Sequence, residues 1–285
     1  MTVGELLDEL AVLLAGPGVP PSRAEARDLI AGVLDQARFW PTAHRDDELT
    51  EHQEGTIRAA AEKRAQGMPI QYALGRAAFR HLTLQVDPRV LIPRPETELL
   101  VDLVLAAQRG GKGRVVDVGT GSGAIALALA AEGSFDEVHA IDLSPDALKV
   151  AVANLEAIPE EHRGKVTFHE GSLLKPVQGT LVDTVVSNPP YISMRERAEM
   201  PASVVEWEPS MALFSGDNGM WAIRALVPQA AEVLVAGGLL AMEVDSRRAD
   251  LAAAAVRDDG RFTDIETRLD LTGRPRFVVA RRQER

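Results

Sequence analysis

Two short runs carry residue types and spacings that could do chemistry. The first is Val115-Val116-Asp117-Val118-Gly119-Thr120-Gly121-Ser122-Gly123. Its glycines let the backbone turn tightly and bring main-chain atoms close to a ligand. Asp142 ends the next strand-like run, 23 residues after Gly119, where a carboxylate can accept bonds from both hydroxyls of a ribose. Asp117, two residues ahead of the first glycine, could hold a ligand's cationic group. Gly119-x-Gly121-x-x-Ala124 also satisfies the dinucleotide fingerprint G-x-G-x-x-G/A, so a nicotinamide enzyme stays open at this point. A glycine-rich turn without ligand is the plainer alternative.

The third glycine, one residue after the second, makes the run D-x-G-x-G-x-G, which resembles the S-adenosylmethionine loop of class I methyltransferases. The second run, Ser187-Asn188-Pro189-Pro190-Tyr191, begins its loop 69 residues beyond Gly119 and fits that reading. An amide or exocyclic amine is a poor nucleophile because its nitrogen lone pair is delocalised. A site that methylates one must hold the NH2 group so that the lone pair points at the sulfonium methyl. The Asn188 side-chain oxygen and the Pro189 carbonyl can accept its two N–H bonds. Proline at 189 and 190 removes two backbone donors and fixes φ, which aims that carbonyl rigidly. Tyr191 can pack its ring on a planar target. Positioning of this kind can supply roughly 7–11 kcal/mol of a barrier. Asn-Pro alone is also an ordinary turn signal.

Both runs need elements to hold them. From Arg114 onward strand and helix patterns alternate. The strands fall at Arg114–Val118, Glu137–Asp142, Val166–Glu170, Val182–Ser187 and Gly238–Val244, and the helices near 123–132, 145–157, 219–235 and 247–257. Ser144-Pro145 is a well-formed helix start. The alternation predicts a doubly wound α/β domain whose ligands bind at the carboxyl ends of the strands. Phe262–Leu269 and Arg276–Ala280 read as an antiparallel edge hairpin, and Arg281-Arg282 as a solvated end. Upstream, the first 70 residues or so look helical. Thr2-x-x-Glu5, Ser22-x-x-Glu25 and Thr50-x-x-Gln53 have capping-box spacing, and Ala26, Leu29, Ile30, Val33 and Leu34 share one helical face. Leu82, Leu84 and Val86 alternate as a strand, with a turn at Asp87-Pro88 before Val90-Leu91-Ile92, which reads as a hairpin. Pro93-Arg94-Pro95-Glu96 is a stiff loop before a helix from about Glu96 to Gln108.

At this point nearly the whole chain resembles the protein-glutamine methyltransferases of the HemK/PrmC family, which modify peptide chain release factors. Besides the two loops, the resemblance rests on Gly67-Met68-Pro69-Ile70-Gln71-Tyr72, Leu91-Ile92-Pro93-Arg94-Pro95-Glu96-Thr97-Glu98, Glu208-Pro209-x-x-Ala212-Leu213, Gly216-Asp217-Asn218-Gly219 and Asp270-Leu271-Thr272-Gly273-Arg274. It implies a class I, Rossmann-like α/β fold with a mostly parallel seven-stranded sheet, a small N-terminal helical bundle and a linking β-hairpin. The divisions would be 1–75 for substrate docking, 76–93 for the hairpin and 94–285 for methyl transfer. The implied activity is methyl transfer from S-adenosylmethionine, leaving S-adenosylhomocysteine, to the side-chain amide of the glutamine in a release factor's Gly-Gly-Gln. By resemblance, Gly119, Thr120, Gly121, Ser122 and Gly123, with Asp117, would line the methionine part of the cofactor. Asp142 would bind its ribose, Leu173 would lie near its adenine, and Asn188 through Tyr191 would clamp the glutamine beside it. Phe79 would help enclose the target, and Arg94 belongs to a loop near it.

Two segments depart from the family pattern. Ser172 and Leu173 stand where an acid and an aromatic are frequent, which makes the adenine contacts mostly apolar. Glu243-Val244-Asp245-Ser246-Arg247-Arg248 replaces a Glu-x-Gly segment. Aromatics are only 4% of the chain, so Tyr191, Trp207 and Phe79 stand out, with Trp207 read as a packing residue.

Composition narrows the rest. The 285 residues hold 31 basic and 42 acidic side chains, a net charge of −11 that argues against broad binding to nucleic acid and against an adenine-N6 methyltransferase sharing the Asn-Pro-Pro-Tyr loop. No cysteine is present, which removes disulfides, thiolate metal sites and thiol catalysis and fits a reducing cytoplasm. The histidines at 44, 52, 81, 139, 162 and 169 lack metal spacing. The acidic start MTVGELLDEL is unlike a leader, and no apolar run approaches the ~20 residues that span a bilayer. The resemblance implies a release factor as the partner, and the composition adds the expectation of no membrane and no direct nucleic-acid contact. A ribosomal-protein glutamine is the near alternative, and a cofactor-binding assembly protein without turnover the non-enzymatic one.

Overall fold

The computed structural model describes residues 1–15, 23–108 and 112–284, and Ser22 of the expected second capping box lies outside them. The chain divides into two compact units, Met1–Arg76 with Pro201–Trp207, and Ala77–Met200 with Glu208–Arg285.

The first unit is built on helices Val3–Leu13, Arg23–Leu34 and Glu51–Ala65, with short helices at Trp40–Ala43 and Ile70–Leu74. Thr2 and Thr50 cap the first and third through reciprocal bonds with Glu5 and Gln53, which satisfies N–H groups that the helix start leaves unpaired. Leu6, Leu10, Leu29, Ile30 and Ile57 are fully buried between them, with Val33 and Leu34 at the margin. Trp207 packs in this unit near the Gly67 turn, where a Cβ on Gly67 would lie 3.8 Å from its indole nitrogen.

A hairpin of β1 (Arg76–Phe79) and β2 (Leu82–Gln85) stands at the start of the second unit, with only its first residue, Arg76, counted in the first. This differs from the pairing read in the sequence. The turn falls at Arg80-His81, with Arg80 at φ 52°, and Val90–Ile92 joins no strand. The chain there is satisfied elsewhere: the Ile92 N–H points to the Glu208 carboxylate at 3.4 Å.

Strands β3 (Arg114–Val118), β4 (Glu137–Asp142), β5 (Val166–Glu170), β6 (Val182–Ser187), β7 (Leu234–Glu243), β8 (Phe262–Leu269) and β9 (Pro275–Arg282) form one sheet in the order β5-β4-β3-β6-β7-β9-β8. The first five run parallel, while β9 pairs antiparallel with β7 and β8. Neighbouring residues go to opposite faces. Val115, Ala140 and Val186 join one core with helices Pro95–Ala107 and Ala124–Glu132. Val116, Ile141 and Val185 join another with helices Trp221–Val233 and Ala249–Asp259. Burial on both faces explains the adjacent apolar pairs Val115-Val116 in β3 and Val185-Val186 in β6. One expectation is corrected here. Arg281 and Arg282 belong to β9 and donate to the carbonyls of Gly237 at 3.1 Å and Ala231 at 2.7 Å, so they are not a solvated end. Phe79 faces inward from β1 and is fully buried with Leu84 and Leu100 in the first core.

Candidate active site

The chain leaves β3 for one half of the sheet and returns through β6 to the other, so β3 and β6 flank the switch point where open α/β sheets bind ligands. Val118 and Ser187 are register partners, and the Ser187 hydroxyl donates to the Val118 carbonyl at 2.7 Å. The glycine run and the Asn188 loop therefore start side by side. One cleft touches Gly119, Gly121, Asp142, Leu173, Asn188, Pro189 and Pro190. Thr120, Ser122 and Gly123 form the loop's inner side instead, and Asp117 is fully buried beneath it.

The loop is pinned from below. Gly119 and Thr120 N–H groups both donate to the Ile141 carbonyl at 2.9 Å. One oxygen of Asp117 accepts from the Thr120 hydroxyl at 2.6 Å and the Ala126 N–H at 3.1 Å, so this carboxylate braces the loop. Burial pushes its pKa up to about 7, against those two bonds. Gly119, Gly121 and Gly123 have φ of 74°, 55° and 84°. A Cβ on Gly119 or Gly121 would meet no protein atom within 4 Å, so these two hold open a cradle in the cleft wall. Asp142 accepts from the Gly121 N–H at 2.8 Å with one oxygen and from the Ser144 N–H at 2.9 Å with the other. A carboxylate has about four acceptor positions, so it keeps capacity for hydroxyl donors. Burial raises its pKa as well. The cradle and the partly committed acid fit a ligand carrying a ribose. Leu173 closes the wall in a left-handed conformation, φ 53°.

On the β6 side, Asn188 donates from Nδ2 to Thr97 Oγ1 at 3.1 Å, and Thr97 donates to Glu243 Oε2 at 2.7 Å. The Tyr191 hydroxyl lies 3.5 Å from the other Glu243 oxygen. Burial pushes the Tyr191 phenol upward and the Glu243 carboxyl up to about 7. No backbone N–H among the described residues is bonded to the Pro189 carbonyl. Arg94 does not reach the cleft. It donates to the buried Glu208 carboxylate at 2.6 Å, which ties the proline-rich loop to the Glu208-Pro209 segment.

Sequence reasoning missed Thr97, Glu243 and Glu208 as members of this network, although each lies in a segment it singled out. For Glu243 a signal exists: an acid at the carboxyl end of a strand bordering the switch point. Leu143, Met211 and Trp221, all more than half exposed, also rim the cleft, and nothing in their spacing announces it. Among the described residues no cluster of His, Asp and Glu could hold a metal, and no helix is long and apolar enough to cross a membrane.

Comparison with known proteins agrees with this geometry. Residues 95–206 match the methyltransferase small domain, and residues 5–75 match the PrmC N-terminal domain. The chain is 40% identical over 283 residues to the release factor glutamine methyltransferase of Deinococcus radiodurans, covering 99% of both chains. It is 41% identical over 279 residues to that of Mycolicibacterium smegmatis, covering 97% of this chain and 96% of the relative. A methyltransferase structure from Pyrococcus furiosus shares the fold, with TM-score 0.55 and 15% identity over 82% of this chain and 100% of that one. With a parallel sheet whose switch point carries both loops, two domain matches and near-complete alignment to such relatives, the chain belongs to the release factor glutamine methyltransferase family.

Proposed function

We propose that this enzyme transfers a methyl group from S-adenosylmethionine to the side-chain amide of the glutamine in a release factor's Gly-Gly-Gln. The observation that carries the reading is Asn188: it lines the cleft shared with Gly119, Gly121 and Asp142, and its nitrogen is bonded to Thr97, which leaves its oxygen as the acceptor for a substrate amide. S-adenosylmethionine, when bound, supplies a methyl group made electrophilic by its sulfonium. In this reading the Gly119–Gly123 loop receives its methionine part, Asp142 accepts from its ribose hydroxyls, and Leu173 packs near its adenine. Asp117 acts from beneath by bracing the loop.

Asn188 Oδ1 and the Pro189 carbonyl each accept one N–H of the substrate carboxamide. With both N–H bonds held in one plane, the nitrogen's π electrons lie perpendicular to it, ready for a new N–C bond. Pro189 and Pro190 keep the second acceptor rigid, and the gain is one of orientation. The N–C bond forms as the C–S bond breaks, and the nitrogen then loses a proton to solvent. No strong base is required. Tyr191 supports the loop from its Glu243 side. We assign residues 1–75 to docking of the protein substrate, 76–93 to linkage and 94–285 to methyl transfer. A release-factor substrate places the enzyme in the cytoplasm.

The test is radiolabelled methyl transfer to a release factor carrying Gly-Gly-Gln, with calorimetry of S-adenosylhomocysteine alongside. Asn188→Ala is expected to abolish labelling and leave that binding intact. Labelling that survives the substitution would overturn the mechanism.

A further inference from the structure

An asparagine amide presents an acceptor and a donor of nearly equal shape. Only one of its two orientations offers oxygen to a carboxamide NH2, and the other sets N–H against N–H. Building on the methyl-transfer reading, we propose that Glu243, acting through the Thr97 hydroxyl, fixes the orientation of Asn188 so that its oxygen faces the substrate. Thr97 and Glu243 are then positioning residues for the clamp.

The argument is one of hydrogen-bond direction. Thr97 and Glu243 are 4% and 1% exposed, so bulk water does not reach them. An ionised carboxylate only accepts, so the single proton of Thr97 must go to Glu243 Oε2, at 2.7 Å. The Thr97 oxygen can then only accept, and Asn188 must offer it Nδ2, at 3.1 Å. Oδ1 is the atom left for the cleft. Protonated Glu243 can donate to Thr97 instead, the hydroxyl becomes free to donate to Asn188 Oδ1, and the chain can reverse. Glu243 faces the Tyr191 hydroxyl at 3.5 Å and feels the charges of Arg276 and Glu96. Asp245 and Arg94 act on the neighbouring Tyr191. Arg276 favours the ionised form and Glu96 opposes it. Burial brings the Glu243 carboxyl up to about 7, so the two forms interchange near neutrality. The three residues come from the Pro95–Ala107 helix, the loop after β6 and the end of β7, and among the described residues no other side chain is hydrogen-bonded to Thr97.

The experiment compares the full chain with Thr97→Val, Thr97→Ser and Glu243→Gln. It reads kcat and KM for methyl transfer, the pH profile, and exchange of the Asn188 side-chain amide protons by NMR without substrate. In the unaltered enzyme kcat is expected to fall as pH drops through about 7. Thr97→Val is expected to lower kcat on the order of 10–100-fold, the scale of a small misplacement, with S-adenosylhomocysteine affinity unchanged and Asn188 amide exchange accelerated. Thr97→Ser restores both. Glu243→Gln loses the acidic fall in kcat, which keeps the test available should Thr97→Val unfold. Wild-type kcat and unchanged amide exchange in Thr97→Val, or an intact acidic fall in Glu243→Gln, overturns the proposal. Absence of methyl transfer by the unaltered chain overturns the proposed function instead, and amide exchange still decides how Asn188 is held.

Discussion

Gly219→Ala tests how tightly the Gly216-Asp217-Asn218-Gly219 loop is fitted to the Asn-Pro-Pro-Tyr loop. Gly219 has φ 89°, and its Cβ would lie 2.1 Å from the Tyr191 carbonyl oxygen and 2.5 Å from Arg248 Nε. The left-handed backbone costs an alanine about 1–2 kcal/mol. The overlap adds more, because neither neighbour is free to retreat. Ile192, next to Tyr191, donates to Leu213 at 3.0 Å and accepts from Ser215 at 2.9 Å. Arg248 is buried and donates to the Asn218 carbonyl and to Glu196, each at 2.7 Å. A forced shift in so held a place costs about 1–3 kcal/mol, for a total of roughly 2–5 kcal/mol. The shift falls on Tyr191, so kcat should drop more than cofactor affinity. Gly216→Ala is the control: φ is −62° and its Cβ would meet only Trp221 Cβ, at 3.7 Å, an ordinary contact. It should stay within about 0.5 kcal/mol of the parent. Urea unfolding and labelled methyl transfer read both variants. A Gly219→Ala protein as stable as its parent, or a Gly216→Ala protein equally damaged, would refute the reasoning.

Gly121→Ala should cost about 1–2 kcal/mol of stability through φ 55° yet weaken S-adenosylhomocysteine binding at least about tenfold, since its Cβ points into open cleft; calorimetry with unchanged affinity would count against the cradle. Asp117 is held up to about 7 by burial, so the folded state binds its proton more tightly than the unfolded chain does. Its contribution is therefore largest below the unfolded value of 3.8 and is lost as pH rises through about 7. Urea midpoints should fall from pH 6 to 8, by less in Asp117→Asn, with Glu243 adding in the same direction; a midpoint that rises over that range contradicts the assignment. Arg94→Ala removes the cation from the buried Glu208 carboxylate and should cost about 2–4 kcal/mol, only partly recovered by Arg94→Lys, as thermal unfolding would show.

Much of this protein is legible in its sequence because the signals are local. Thr2 and Thr50 announce their helices within four residues, Ser144-Pro145 starts another, and the strands that carry the site end at Val118, Asp142 and Ser187 as their apolar runs do. Steric and capping rules act between near neighbours, so the glycine run and the Asn188 loop could be placed at strand ends without coordinates. The linking hairpin could not, because its turn uses Arg80 at φ 52° where no glycine or asparagine marks it. Nor could the burial of Phe79, or the pairing of the terminal arginines with carbonyls of Ala231 and Gly237. The hydrogen-bond chain from Asn188 through Thr97 to Glu243 joins residues 91 and 146 positions apart. What a buried polar atom bonds to depends on which distant strand end folding sets opposite it. Residue types and spacing determined the chemistry available, and the sheet order and the buried network decided which of those residues line the cleft and which lie beneath it.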